Sequence, residues 1–413
     1  MFLSCCLAFL AAGIQAQTDW ARYRVWVLNE KAAKVLTDSP LTLFSEQVTL
    51  GGTDVVVGPG ELPVLWRLGL PYEWVSNLPR ADAWRHAVAR ESDTYHTAYL
   101  RLDGIIAQME QWRTANPGIV TRQQIGLSVE NRPIWSYRIY TGQGAPANSI
   151  VIHGGIHARE WISPPVAMYL ADMMIRMANT SAIHRAALAR TALYVIPVLN
   201  PDGYEFTWTT NRFWRKNRRR NNSSTFGVDL NRNFSVGFGG SGSSGNPASD
   251  TYRGPSAFSE PETRALRDHV AANPPLIGYI DYHSFSQLVL WPWGYTTAVA
   301  PDDGRLRFFG DRLESALDDV GLSYRTGPAA ATLYVASGVT IDYFYATYGA
   351  MAYCIELRDT GTFGFLLPAD QIWPTQQENW AGFERFFMDM AGPIPVADTP
   401  DPEEREAPRG SVG

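Results

Sequence analysis

Cysteine is scarce in this chain: three residues in 413, at Cys5, Cys6 and Cys354. The first two lie in an apolar N-terminal run, Met1 to Ile14, which reads as an export signal over residues 1–16 with cleavage after Ala16. Cys354 is then left alone. The mature chain is expected to hold no internal disulfide, so its stability must come from a buried core. Cys354 sits in Met351-Ala-Tyr-Cys-Ile355 and reads as a small buried hydrophobe rather than a nucleophile. Long apolar runs are also lacking. The N-terminal one is too short to span a bilayer, and no later segment is long enough for a transmembrane helix, so no membrane partner is expected. Charge of one sign is not in excess. Charged residues make up 18% and the net charge is -6, which argues against a nucleic-acid partner. One run, Arg212-Phe-Trp-Arg-Lys-Asn-Arg-Arg-Arg220, is basic. It reads as a solvated surface loop, with one or two arginines able to turn inward toward an anionic ligand.

What is present is core. Hydrophobic residues make up 45%, enough to exclude global disorder. Residues 17–80 read as a small α+β unit. Ala21 to Val27 alternates as a half-buried strand, Val48–Leu50 and Asp54–Val57 read as strands separated by Gly51-Gly52, and Glu61–Leu68 as a short helix. Residues 81–93 form an arginine-bearing linker of the kind where proteolysis concentrates. From 94 to 392 buried strands (Ser149–His153, Leu193–Val198, Leu276–Ile280, Met351–Ile355) interleave with helices near Leu102–Trp112, from Ser163, at Arg305–Val320 and at Thr375–Met390. That pattern implies an α/β fold: a mixed, mostly parallel twisted sheet with helices on both faces. Gly237–Ser249 is a long loop, and residues 393–413 read as a disordered tail.

Histidine is sparse too, with seven residues, and two stand out. His157-x-x-Glu160 follows a Gly-Gly turn after one strand, His283 ends a second strand, and Glu356 ends a third. A lone His-x-x-Glu is common on helix surfaces, and His283 alone reads as a satisfied core histidine. Yet ligands gather at the carboxyl ends of strands in open α/β sheets, and these four residues share that edge. Two histidines and one carboxylate make a three-ligand zinc site with a fourth position open for water. Glu356 is then available as the base.

Five blocks carry a family resemblance: Gly155-Ile-His-Ala-Arg-Glu-Trp-Ile162; Asn200-Pro-Asp-Gly-Tyr204 with Asn211-Arg-Phe-Trp-Arg-Lys216; Gly227-Val-Asp-Leu-Asn-Arg-Asn-Phe234; His283-Ser-Phe-Ser-Gln287; and Glu356-Leu-Arg-Asp-Thr-Gly361. From about Tyr95 to Gly392 the chain resembles zinc metallocarboxypeptidases of the pancreatic carboxypeptidase A type. The resemblance implies one Zn²⁺ per chain on His157, Glu160 and His283. It makes Glu356 the general base and Arg215 the group that stabilises the oxyanion. It places Asn231, Arg232 and Tyr334 on the substrate's terminal carboxylate, with Arg159 further inward. Ile341 matches the position where basic-specific members carry an acid, and Thr340 beside it is uncharged. A buried cationic side chain would be unpaired there, so a preference for C-terminal aromatic or large aliphatic residues is expected. Ala329 and Ala336 align with the pocket wall and Cys354 with its deep end.

The resemblance also implies that the first unit is a propeptide, that cleavage near Arg85 or Arg90 by an activating protease releases the enzyme, and that the protein is a secreted monomer, extracellular or periplasmic. Cis peptides are implied at Ser284–Phe285, Pro292–Trp293 and Arg358–Asp359. Three departures stand out. Thr225 and Ala248 occupy the positions of the family's common disulfide, Phe285 replaces a usual tyrosine, and the tail is extra. The rivals are a relative of broad or basic specificity and a catalytically silent binding protein on the same fold. Binding of nucleic acid through the basic run has no support from the overall charge.

Overall fold

Strands with unbroken apolar runs fill the centre of the molecule, and polar strands lie at its edges. The computed structural model describes residues 20–44, 48–77, 95–273, 275–321 and 323–392. The signal-like segment, the linker with Arg85 and Arg90, and the tail all lie outside the described residues. In chain order the first unit contains β1 (Ala21–Val27), α1 (Glu30–Thr37), β2 (Thr42–Leu43), β3 (Gly51–Val57), α2 (Leu62–Arg67) and β4 (Tyr72–Asn77). Its sheet runs β2-β3-β1-β4, and every pair in it is antiparallel. Gly51 and Gly52 lie inside β3, paired with Val27 and Trp26, rather than between two strands as expected. Their pairing with β1 overrides the usual weakness of glycine in a strand. The Asn29 side chain caps α1 by accepting from the Ala32 N–H at 2.9 Å.

The larger unit contains α3 (Leu102–Ala115), β5 (Val120–Leu127), β6 (Pro133–Ile139), β7 (Asn148–His153), α4 (Ser163–Thr180), α5 (Ala182–Leu188), β8 (Thr191–Ile196), α6 (Pro201–Thr209) and α7 (Pro261–Ala271). It continues with β9 (Leu276–Ser284), β10 (Leu288–Trp291), α8 (Asp303–Asp318), β11 (Arg325–Pro328), α9 (Ala329–Thr332), α10 (Thr340–Tyr348), β12 (Met351–Leu357) and α11 (Ile372–Ala391). Its sheet order is β11-β10-β12-β9-β7-β8-β6-β5. The four central strands β12, β9, β7 and β8 are mutually parallel, and β6, β5 and β10 add antiparallel pairs. The mixed, mostly parallel sheet expected from the sequence is therefore the fold. β5 was not legible as a strand, because its exposed stretch Thr121–Gln124 lacks apolar alternation.

Alternation along β9 sorts the two faces. Gly278, Ile280 and Tyr282 point to one side, where Gly278 lies under Phe386 of α11. On the same side Tyr353, in register with Ile280, packs on Phe386 and donates its hydroxyl to the Leu306 carbonyl of α8. Tyr279, Asp281 and His283 point to the other side, where the Tyr279 ring packs on Phe344 of α10 at 4.3 Å. α7 covers the same side further along, with His269 against Tyr194. Among the described residues, no helix is long and apolar enough to cross a membrane.

Among the described residues, the first unit docks on the larger one through an aromatic cluster, which includes Trp20 on Phe213 at 5.4 Å, and through the end of α1. Phe44 packs between Phe285 and Phe365, at 6.1 and 6.4 Å between ring centroids. The end of α1 meets the 243–252 loop: Asp38 accepts from the Ser244 hydroxyl at 2.8 Å and, through its carbonyl, from the Asn246 amide at 2.6 Å. Ser249 donates its hydroxyl to the Thr37 carbonyl.

Candidate active site

β7 ends at His153, and the chain turns at once through Gly154 and Gly155. A Cβ on Gly154 would lie 2.8 Å from the Ser163 backbone, and Gly155 has φ +62°. Glycine therefore permits both the close approach and the left-handed turn. The turn returns His157 and Glu160 to the strand ends. His283 and Glu356 sit opposite each other in the parallel register of β9 and β12. The convergence expected from strand ends is thus a matter of register.

Glu160 Oε1 lies 2.7 Å from His157 Nδ1, and Glu160 Oε2 lies 3.0 Å from His283 Nδ1. The two Nδ1 atoms are 3.0 Å apart. Among the described residues, these three form the group of ligand-type side chains that could hold a metal ion, and all are buried. Burial would raise the Glu160 carboxyl, but the two imidazoles hold it below the usual range. Burial would lower His283, yet Asp281 and Glu160 raise it well above its ordinary value. The cluster draws positive charge. Two imidazole nitrogens and one carboxylate converging on a point fit the donor set of a catalytic zinc.

Asp229 holds the next layer. Its Oδ1 is 3.1 Å from His157 Nε2, and its Oδ2 accepts from Arg215 Nε at 3.0 Å. One carboxylate therefore orients a candidate ligand and the candidate oxyanion group together. Burial would raise Asp229, but Arg215, Arg232 and His157 keep it well below the carboxylate range. Arg215 Nη1 stands 3.8 Å from Glu160 Oε1, which places the guanidinium at the cluster.

Asn231 and Arg232 lie on the short 3-10 turn Leu230–Arg232. Arg232 donates to the Gly242 and Asn231 carbonyls at 2.8 and 2.7 Å, with its guanidinium 6.0 Å from the Tyr334 ring. Both residues, with His157, His283, Tyr334 and Glu356, line one pocket. The rest of its wall is Leu290, Gly294, Ala329, Leu333, Ala336, Val339, Thr340, Ile341 and Cys354. The sequence placed Ile341, Ala329, Ala336 and Cys354 there; Leu290, Leu333 and Val339 are additions. Arg159 does not line this pocket. It is buried with its guanidinium 4.1 Å from the Phe365 ring and donates to Asp250 at 3.2 Å, next to the seat of Phe44.

The basic run is a correction. It reads as mostly a solvated loop with one or two arginines turned inward; Arg215 is buried in keeping with that, but Arg212 and Lys216 are buried as well. Burial pushes Arg212 down to about 9 and Lys216 to about 8. Arg212 stacks 3.7 Å over Trp161 and donates to the Arg159 carbonyl at 2.7 Å. Arg218 stacks over Phe206 at 3.6 Å and Arg219 pairs with Glu260 at 2.6 Å. The aromatic residues within and beside the run were the signal that it packs inward. Asp229 and Asp281 carry no signal of their own in the sequence, although each stands two residues before a site residue, Asn231 and His283. The three cis peptides implied by the resemblance are present.

The description "Zinc carboxypeptidase" belongs to the family model that matches residues 105–382. Carboxypeptidase A2 of Mus musculus is 40% identical over 289 residues, covering 70% of this chain and 69% of that one. Carboxypeptidase A1 of Bos taurus is 40% identical over 297 residues, covering 71% of each. Among solved structures, thrombin activatable fibrinolysis inhibitor superposes with TM-score 0.78 at 26% identity, covering 91% of this chain and 100% of the other. A carboxypeptidase A from Helicoverpa armigera gives 0.76 at 27%, covering 91% and 98%.

Proposed function

The chain belongs to the zinc carboxypeptidase family, and from that premise we propose that it removes aromatic or large aliphatic residues from peptide C-termini and is made as a secreted precursor. Peptides with a free C-terminus are the substrates expected of such an enzyme. The observation that carries the specificity is the pocket beside Glu356. Its interior is Leu290, Ala329, Leu333, Val339, Ile341 and Cys354, and the charged groups that line it are Arg232, Glu356 and the cluster histidines. A terminal Lys or Arg side chain entering past them would meet no counter-charge at Ile341.

Each residue has a task in this reading. Arg232, with Asn231 and Tyr334, takes the substrate's terminal carboxylate, for which a guanidinium fork is suited. Arg159 stands further inward. His157, Glu160 and His283 would hold zinc, which when bound lowers the pKa of water and polarises a carbonyl oxygen. Glu356 accepts a proton from the water that adds to the scissile carbonyl carbon. Arg215, fixed by Asp229, faces the oxygen that becomes negative, a contribution of about 3–4 kcal/mol for one such donor. The C–N bond then breaks, and Glu356 passes its proton to the leaving amine. The docking of Phe44 between Phe285 and Phe365 supports the reading of the first unit as a cover over the inner part of the cleft. The apolar start of the chain supports export.

The test is hydrolysis of two blocked dipeptides, one ending in Phe and one in Arg, after limited trypsin treatment, with and without a zinc chelator. Chelator-sensitive cleavage of the Phe substrate alone is expected. Cleavage mainly of the Arg substrate would overturn the pocket reading and leave the zinc chemistry standing. Cleavage of neither, with zinc bound and the first unit released, would mean a silent binding protein.

A further inference from the structure

Asp281 is fully buried and stands two residues before His283 on β9. A separation of two on a strand puts both side chains on one face. In register beside it lie His153 of β7 and Cys354 of β12. Its Oδ2 is 2.9 Å from His283 Nε2 and accepts from the Thr340 hydroxyl at 2.6 Å. Its Oδ1 faces His153 Nδ1 at 3.4 Å, and the far nitrogen of His153 meets the Tyr279 hydroxyl. A carboxylate is costly to bury unless it is paired or hydrogen-bonded, and here its partners run directly into the cluster.

Two groups compete for His283 Nε2. Asn231 Nδ2 stands 3.1 Å away. The Asn231 amide oxygen accepts from the Thr340 N–H at 2.9 Å, which fixes the NH₂ end toward the ring. An amide N–H can donate only to an unprotonated Nε2, whereas Asp281 can accept only from a protonated one. His283 Nδ1 points at Glu160 and His157. A ring that gives its Nδ1 lone pair to a cation carries its proton on Nε2, and that N–H needs an acceptor. Asp281 is the acceptor, and the Asn231 amide is then released from the ring.

We propose that Asp281 is a positioning residue that sets the tautomer of His283, aiming Nδ1 at the metal and freeing the Asn231 amide for the substrate's carboxylate. The inference rests on the carboxypeptidase reading of the same site. Its test is the zinc affinity of the full-length chain, measured by competition with a chromogenic chelator on stripped, folded protein, together with the visible spectrum after cobalt substitution. Asp281→Asn keeps the shape but removes the charge and one acceptor oxygen. Affinity is expected to fall about 10–100-fold, the usual effect of losing such a partner, with altered cobalt bands. A merely structural role would leave the bands of the folded protein unchanged. Should Asp281→Asn not fold, Thr340→Val decides: loss of the hydroxyl that anchors Oδ2 is expected to weaken zinc on the order of fivefold. Affinity within twofold of the unaltered chain and an unchanged cobalt spectrum, in whichever variant folds, overturn the proposal. An unaltered chain that takes up no zinc overturns both this inference and the reading beneath it. Tight zinc in the unaltered chain, weak zinc in the variant and no peptide cleaved by either would uphold this inference and sink the reading.

Discussion

Arg215 is buried, held by Asp229 through Nε, and its assigned task is felt only when negative charge develops. Arg215→Met is therefore expected to lower kcat by about 10²–10³ with a small change in KM. Steady-state kinetics on a Phe-terminated substrate check this, and an equal rise in KM with kcat intact would remove Arg215 from the oxyanion. Glu262 gives a residue-level pH effect. Burial pushes its carboxyl from its usual 4.5 up to about 7, against hydrogen bonds from the Val129 N–H and the Asn217 amide. Between those values the folded chain holds a proton that the unfolded chain has lost. Stability from this group is full below about pH 4.5 and lost as pH rises through about 7. The fall of Tm with pH across that window is expected to be shallower in Glu262→Gln, and identical slopes would refute the assignment. At this scale the sequence revealed residues whose type limits their chemistry, such as His157, Glu160, His283 and Glu356. It concealed Asp229 and Asp281, because a carboxylate that acts through a histidine looks like any other aspartate until strand register places it.

Elements were legible where burial is complete. β12 is buried at every position and β8 likewise, and both appear in the sequence as apolar runs. β5 carries Thr121, Arg122, Gln123 and Gln124 in succession and is a strand by virtue of its pairing with β6, which no local pattern encodes. The basic run misled for a related reason: charge pattern predicts exposure, whereas aromatic rings and carbonyl acceptors supplied by distant elements drew its cations inward. Lys216 illustrates this. Its ammonium donates to the Pro247 and Ser249 carbonyls at 3.3 and 2.8 Å, pinning the loop on either side of Ala248. Lys216→Met leaves those carbonyls without their donor and is expected to cost about 1–3 kcal/mol. Urea denaturation checks the value, and an unchanged midpoint would mean that the loop is held by its own turns.

At the scale of the whole molecule, the described residues of the two units meet through Phe44 and Trp20 and through the Thr37–Asp38 end of α1. If the first unit covers the cleft, Phe44→Ala should raise the activity of the uncut chain by about tenfold or more while leaving the trypsin-treated enzyme unchanged, because truncating a buried aromatic costs about 3–5 kcal/mol of packing, of which the docking contact is one part. A constant ratio of uncut to cut activity would show that Phe44 contributes nothing to the cover. The other contact has a different outcome. Ser244, Asn246 and Ser249 spend their hydrogen bonds on the first unit, in a loop that no disulfide among the described residues braces. Without that unit, the loop would keep Lys216 and the Arg159–Asp250 pair but lose its three hydrogen bonds to the end of α1. If the first unit is removed to release the enzyme, the released enzyme is expected to lose activity on storage faster than the uncut chain, and equal half-lives would show that α1 does not steady the loop.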